Sequence, residues 1–166
     1  MDLRSVIFIR RDNIGDLVCT TPAIRALREK FPQARIAVLV NSYNVDAISD
    51  NPDVDEVYVY EKWKHSGGDD PLRGRSRLGV WADNWRVIRK IRRQRFDVSI
   101  GCSYGYSARL ARYTFLTGGK TRISVTPDGK KNFFINCPVS EPTDSIHEVE
   151  AMMRLVKPLG ITGPAP

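Results

Sequence analysis

The sequence predicts an α/β protein, a parallel sheet with helices on both faces. Three observations carry this. Short apolar runs suited to strands buried on both faces recur along the chain, at residues 6–9, 36–40, 57–60, 98–100 and 123–125. They alternate with stretches whose apolar residues follow the helical period. The first strand-to-helix junction, Arg10-Arg11-Asp12-Asn13-Ile14-Gly15-Asp16, carries a glycine and a carboxylate where α/β proteins build their sites. The alternation makes the fold Rossmann-like.

Taken in order, Val6 to Ile9 form the first strand, and apolar residues then recur at Ile14, Leu17, Val18, Ile24, Leu27 and Phe31. The period runs through Pro22 without a phase break. A helix from Ile14 or Gly15 that kinks at the proline is therefore expected, the alternative being a helix that begins at Pro22 with Thr21 as its cap. Residues 61–79 interrupt the alternation and read as a long functional loop with Lys62, Trp63, Lys64, His65, Arg73, Arg75 and Arg77. Helices are expected over 80–94, 106–116 and 145–159, the last capped by Asp144 or Ser145. Residues 133–135 suggest a sixth, edge strand. The stretch 160–166 has the Gly/Pro composition of a linker, so residues 1–160 are expected to form one domain, 161–166 the start of a linker, and a second domain to follow.

The 166 residues, 42% of them hydrophobic, suffice for one domain with a sizeable core. No apolar run approaches the roughly 20 residues that span a bilayer, and the N-terminal run lacks a cleavage site, so cytoplasmic residence is expected. Cys19, Cys102 and Cys137 suggest neither a disulfide framework nor a zinc site. The net charge of +7 favours an anionic partner: nucleic acid, an anionic membrane surface, or a phosphorylated or carboxylated substrate.

Several motifs are tested and set aside. G-x-G-x-x-G is missing after the first strand, which argues against a dinucleotide cofactor. Gly119-Lys120-Thr121 imitates the end of a P-loop but leads into a strand, so it reads as a turn. His147-Glu148 begins like a zincin helix, yet Ala151 stands where the second histidine is needed, and no metal site is proposed. His65 has no G-x-S-x-G serine to serve. Arg86, Arg89, Lys90, Arg92, Arg93 and Arg95 form either a solvated helix face or a footprint for anionic lipid or nucleic acid, with no nucleic-acid-binding signature to support the latter. Asp16, in a first helical turn, satisfies free N–H groups or does chemistry beside Gly15. Its position leaves both open.

The residues also resemble a family. A strand followed by a basic residue and Gly15-Asp16, then Thr20-Thr21-Pro22-Ala23-Ile24-Arg25-Ala26-Leu27-Arg28, Phe31-Pro32-Gln33-Ala34-Arg35 and Asn51-Pro52-Asp53-Val54-Asp55-Glu56-Val57, is similar to the N-terminal half of the lipopolysaccharide heptosyltransferases, glycosyltransferase family 9. Arg95-Phe96-Asp97-Val98-Ser99-Ile100 resembles the family's fourth strand, and His147-Glu148-Val149-Glu150 with Leu159-Gly160-Ile161 resembles the helix closing its first domain. Ile48-Ser49-Asp50-Asn51-Pro52 and Lys157-Pro158-Leu159-Gly160-Ile161 look most like type III members.

The resemblance implies the N-terminal half of a GT-B enzyme that transfers heptose, with inversion, from ADP-heptose to the anionic lipopolysaccharide core. It implies that an absent C-terminal domain holds most of the donor, and that no metal, cofactor or nucleic acid is needed. Asp16 would be the general base and Gly15 would let the acceptor approach. Asn13, Thr20 and Thr21 would bond the acceptor or hold Asp16, and Arg10 and Arg11 would neutralise anionic groups or pair with Asp12. Lys62, Trp63 and Lys64, with Arg73, Arg75 and Arg77, would face the acceptor's sugars and phosphates. A peripheral contact with the cytoplasmic face of the inner membrane is compatible with this reading, and the fragment alone is expected to be inactive. The competing reading is a non-catalytic Rossmann-like module that binds an anionic ligand or partner.

Overall fold

The computed structural model describes residues 3–11, 13–61 and 77–163, with the Arg77 side chain excepted. Six strands, β1 (Ser5–Ile9), β2 (Arg35–Asn41), β3 (Glu56–Tyr60), β4 (Val98–Gly101), β5 (Thr121–Thr126) and β6 (Cys137–Ser140), form one sheet in the order β3-β2-β1-β4-β5-β6. Every pairing is parallel. β1 lies in the middle: the chain first winds outward through β2 and β3, then returns to the other side of β1 with β4. The strand order reverses there, which opens a crevice at the carboxyl ends of β1 and β4.

Both faces are covered, as an all-parallel sheet requires. Val6 and Phe8 pack with Leu17, Ile24, Leu27, Met152 and Leu155 in one core. Ile7 and Ile9, on the opposite pleat, pack with Ile88, Ile91, Phe96 and Leu110 in the other. The first core lies under α2 (Thr21–Lys30) and α5 (Glu148–Val156), the second under α3 (Arg77–Arg93) and α4 (Ala108–Leu116). Among the described residues no helix is long and apolar enough to cross a membrane.

The first crossover resolves the two expectations about Pro22 by satisfying part of each. A one-turn helix α1 (Ile14–Val18) does begin at Ile14, but it breaks at Cys19-Thr20 and α2 starts afresh at Thr21, with Thr20 in the cap position. Pro22 has no N–H to give the carbonyl of Val18, and the Thr21 hydroxyl donates to that oxygen instead, at 2.8 Å. The Thr20 hydroxyl likewise donates to the carbonyl of Asp16 at 2.9 Å.

Four further boundaries differ from expectation. α3 begins at Arg77, inside the segment read as loop. α4 begins at Ala108, where Ser107 accepts the N–H of Leu110, rather than at Tyr106. The edge strand is Cys137–Ser140 and not 133–135, because the Asn132 side chain accepts the N–H groups of Phe134 and Ile135 and folds that stretch into a turn. α5 begins at Glu148, capped by His147, whose Nδ1 accepts the Val149 N–H at 3.2 Å, rather than by Asp144 or Ser145. The Tyr104 hydroxyl donates to the Asp144 carbonyl and accepts the Ile146 N–H, which holds residues 144–146 outside the helix.

Gly119-Lys120-Thr121 leads into a strand, as expected, but β5 already begins at Thr121 and the turn residues are Thr117 and Gly118. Gly118 closes α4 with φ +82°, and a Cβ on Gly119 would lie 2.7 Å from the backbone nitrogen of Ser99.

Candidate active site at the carboxyl edge of the sheet

The site grows from the phase of one strand. Val6, Phe8 and Arg10 alternate onto the same face, and the Arg10 N–H donates to the Leu39 carbonyl as though the strand continued. Arg10 therefore enters the core beneath α5 instead of reaching into solvent. It is 2% exposed, among the largest fully buried side chains described. A buried guanidinium needs charge and hydrogen-bond partners nearby. Nη2 donates to Glu148 Oε1 at 2.8 Å and lies 3.5 Å from Asp16 Oδ1, while Nη1 meets the Met152 sulfur at 3.2 Å. One cation thus ties the start of α1 to the start of α5 across the end of β1.

Asp16 does two things at once. Its Oδ2 accepts the backbone N–H of Asn13 at 3.2 Å, which caps α1, and its Oδ1 faces Arg10. The side chain is 35% exposed, so the carboxylate remains open to solvent. The cap bond and the ion pair place the carboxylate at the mouth of the crevice.

Gly15 is exposed, and among the described residues no atom lies within 4 Å of where its Cβ would stand. A glycine here costs roughly 1 kcal/mol of helix propensity against alanine. Nothing among the described residues requires it. The open space above Gly15, next to the exposed part of Asp16, is where a hydroxyl would have to arrive to give its proton to that carboxylate.

The other expected residues divide. Asn13 is exposed beside Asp16. Thr20 is fully buried and Thr21 half-buried, and both hydroxyls donate to carbonyls of α1. They fix the break between the helices. Arg11 turns to the opposite face of the sheet: Nε donates to the Tyr60 hydroxyl at 3.1 Å, and its guanidinium carbon lies 4.2 Å from the centre of the Tyr113 ring. Asp12, Lys62, Trp63, Lys64, Arg73 and Arg75 lie outside the described residues, and Arg77 opens α3. Among the described residues no group of three or more His, Cys, Asp or Glu is placed to hold a metal ion.

Glu148 and Met152 are the residues missed as site residues. The signal for Glu148 was available, since an arginine in pleat phase with Val6 and Phe8 has to be buried and then needs a carboxylate. Nothing in the sequence said which one.

No family model matches the chain. Over 149 residues it is 22% identical to lipopolysaccharide heptosyltransferase 3 of Escherichia coli, a match that covers 89% of this chain and 40% of that protein. The chain thus spans less than half the length of the curated relative. Among solved structures, the family 9 glycosyltransferase of Veillonella parvula superposes with a TM-score of 0.71 at 19% identity, covering 98% of this chain and 43% of that one. The E. coli heptosyltransferase WaaC, solved with ADP-2-deoxy-2-fluoro heptose, gives 0.74 at 16% identity, covering 98% and 50%. In sequence and in fold the chain is like the lipopolysaccharide heptosyltransferases, and its sheet has the architecture of one half of these GT-B structures.

Proposed function

We propose that the chain is the acceptor-side domain of an inverting heptosyltransferase that extends the lipopolysaccharide core. A donor-binding second domain would complete it, and residues 161–166 would lead there. The observation that carries this reading is Asp16: a carboxylate fixed by a cap bond and a guanidinium, partly exposed, beside a glycine with open space above it. An acceptor hydroxyl must lose its proton as it attacks the anomeric carbon, and Asp16 would accept it. The likeness to heptosyltransferases supplies the substrate class. The WaaC complex, with its ADP-heptose analogue, supports ADP-heptose as the donor.

Within this proposal Arg10 and Glu148 position Asp16, Thr20 and Thr21 hold the chain behind it, and Asn13 is left to meet the acceptor. Lys62, Trp63, Lys64, Arg73, Arg75 and Arg77 would engage the acceptor's phosphates and anionic sugars. The acceptor is lipid-linked, so the protein would work at the cytoplasmic face of the inner membrane.

The test is heptose transfer by the two-domain protein carrying Asp16→Asn. Asparagine can still accept the Asn13 N–H, so the fold should survive while turnover drops roughly 10² to 10⁴-fold. Normal transfer with a lowered melting temperature would reduce Asp16 to a cap, whereas no transfer by the unmutated two-domain protein would favour the binding-module reading.

A further inference from the structure

We propose that the outward face of α3 docks on an anionic lipid bilayer. Leu78, Trp81 and Trp85 are 79%, 66% and 42% exposed, and spacings of three and four residues bring them onto one stripe. The two indoles stack, with ring centres 6.2 Å apart and planes within 1° of parallel. Single exposed apolar residues need no explanation, but three adjoining ones, two of them tryptophans, form a patch.

The next turns of the helix are cationic. Arg86, Arg89, Lys90 and Arg93 line a shallow depression with Gln94. Arg86 meets Asp83, the one acidic residue of α3, and Lys90 lies over the Tyr58 ring. Arg89 and Arg93 are exposed, with no ion pair among the described residues. Tryptophan at headgroup depth beside lysine and arginine on lipid phosphate is the composition of an interfacial helix.

The direction of the helix adds to this. Asn84 exchanges two hydrogen bonds with the backbone of Glu61, just past the end of β3, and Arg35 at the start of β2 reaches Gln94. α3 therefore runs antiparallel to the strands, and its aromatic half lies at the same edge of the sheet as Arg10 and Asp16.

The inference draws on the proposed function only in that a lipid-linked acceptor puts the protein at a bilayer. Vesicle binding needs no sugar transfer, so the two readings can fail separately. The experiment is co-sedimentation of the purified chain with vesicles of phosphatidylcholine, alone or mixed with phosphatidylglycerol, at low and high salt. Tryptophan emission is followed alongside. The chain should bind the mixed vesicles, shift its emission to the blue, and come off as salt rises. Arg89→Glu with Arg93→Glu should weaken binding at least about thirtyfold, from about 1 kcal/mol for each basic residue near the surface. The same charge reversal at Lys130 and Lys131 serves as control and should cost much less. Trp81→Ser with Trp85→Ser should weaken binding several-fold and remove most of the blue shift. Equal binding to neutral and mixed vesicles, or equal losses from the two charge reversals, would overturn the proposal. So would a tryptophan variant that binds vesicles normally while splitting a dimer on gel filtration.

Discussion

Arg10 and the arginines of α3 carry the same charge and are handled in opposite ways. Arg10 is buried and enclosed by Glu148, Asp16 and Met152, so its charge is compensated inside the molecule and serves to place other groups. Arg89 and Arg93 are exposed with no ion pair among the described residues, so their field projects outward. A net charge of +7 could not separate these roles. The phase of a residue against its strand or helix does: Arg10 falls in step with Val6 and Phe8, whereas Arg89 and Arg93 fall out of step with Val80, Ile88 and Ile91, which are buried.

The largest stability effect should come from breaking the buried pair. Glu148→Ala removes the 2.8 Å contact and leaves the Arg10 guanidinium with Asp16 at 3.5 Å among the described residues. Breaking a fully buried pair costs about 3–5 kcal/mol. Glu148 is 22% exposed, so solvent and the remaining Asp16 should reduce this to roughly 2 kcal/mol. Denaturant unfolding measures it, and Glu148→Gln, which keeps an acceptor, should recover part of the loss. If Glu148→Ala unfolds with the wild-type midpoint, Arg10 is not held as described.

The same phase argument shows how far the sequence could be read. The five principal strands and both cores follow from apolar runs whose period is unambiguous, so the parallel sheet was legible. The boundaries that moved depend on single side chains acting on nearby backbone: Asn132 folding residues 133–135 into a turn, Tyr104 holding back α5, and Thr21 replacing the N–H that Pro22 lacks. Periodicity carries no trace of such bonds. At the site, Gly15 and Asp16 stood out because a glycine and a carboxylate at a strand-to-helix turn are unusual locally. Glu148 lies 138 residues from Arg10 in sequence, and only the return of α5 over β1 joins them.

A second, intermediate case lies at the opposite edge of the sheet, where Lys120 is exposed but its partner Asp97 is not. Asp97 accepts from Lys120 at 2.9 Å on one oxygen, and from the Arg4 N–H and the Ser5 hydroxyl on the other. The lysine's hydrogen bond, chiefly, holds the Asp97 carboxyl below its ordinary range. A carboxylate depressed in the fold contributes stability that is complete above the unfolded value, near pH 4, and is lost as the pH falls through the lower folded value. Asp97→Asn should therefore cost about 1 kcal/mol at neutral pH and make the acid limb of the stability curve shallower below about pH 4. An unchanged acid limb would show that Asp97 titrates alike in both states.

The smallest effect is expected where charge faces outward. Replacing Arg89 and Arg93 together by alanine removes no ion pair seen among the described residues, and both sit on the solvent side of α3. Alanine is the better helix former, so stability should stay within about 0.5 kcal/mol of wild type. Thermal and denaturant melts of the double variant measure this directly. A loss comparable to that of Glu148→Ala would mean that these arginines support the fold as Arg10 does, and the contrast between inward and outward cations would collapse. A neutral result, set beside a loss of vesicle binding in the charge-reversed variant, would leave the cationic turns of α3 with no structural duty and a surface to meet.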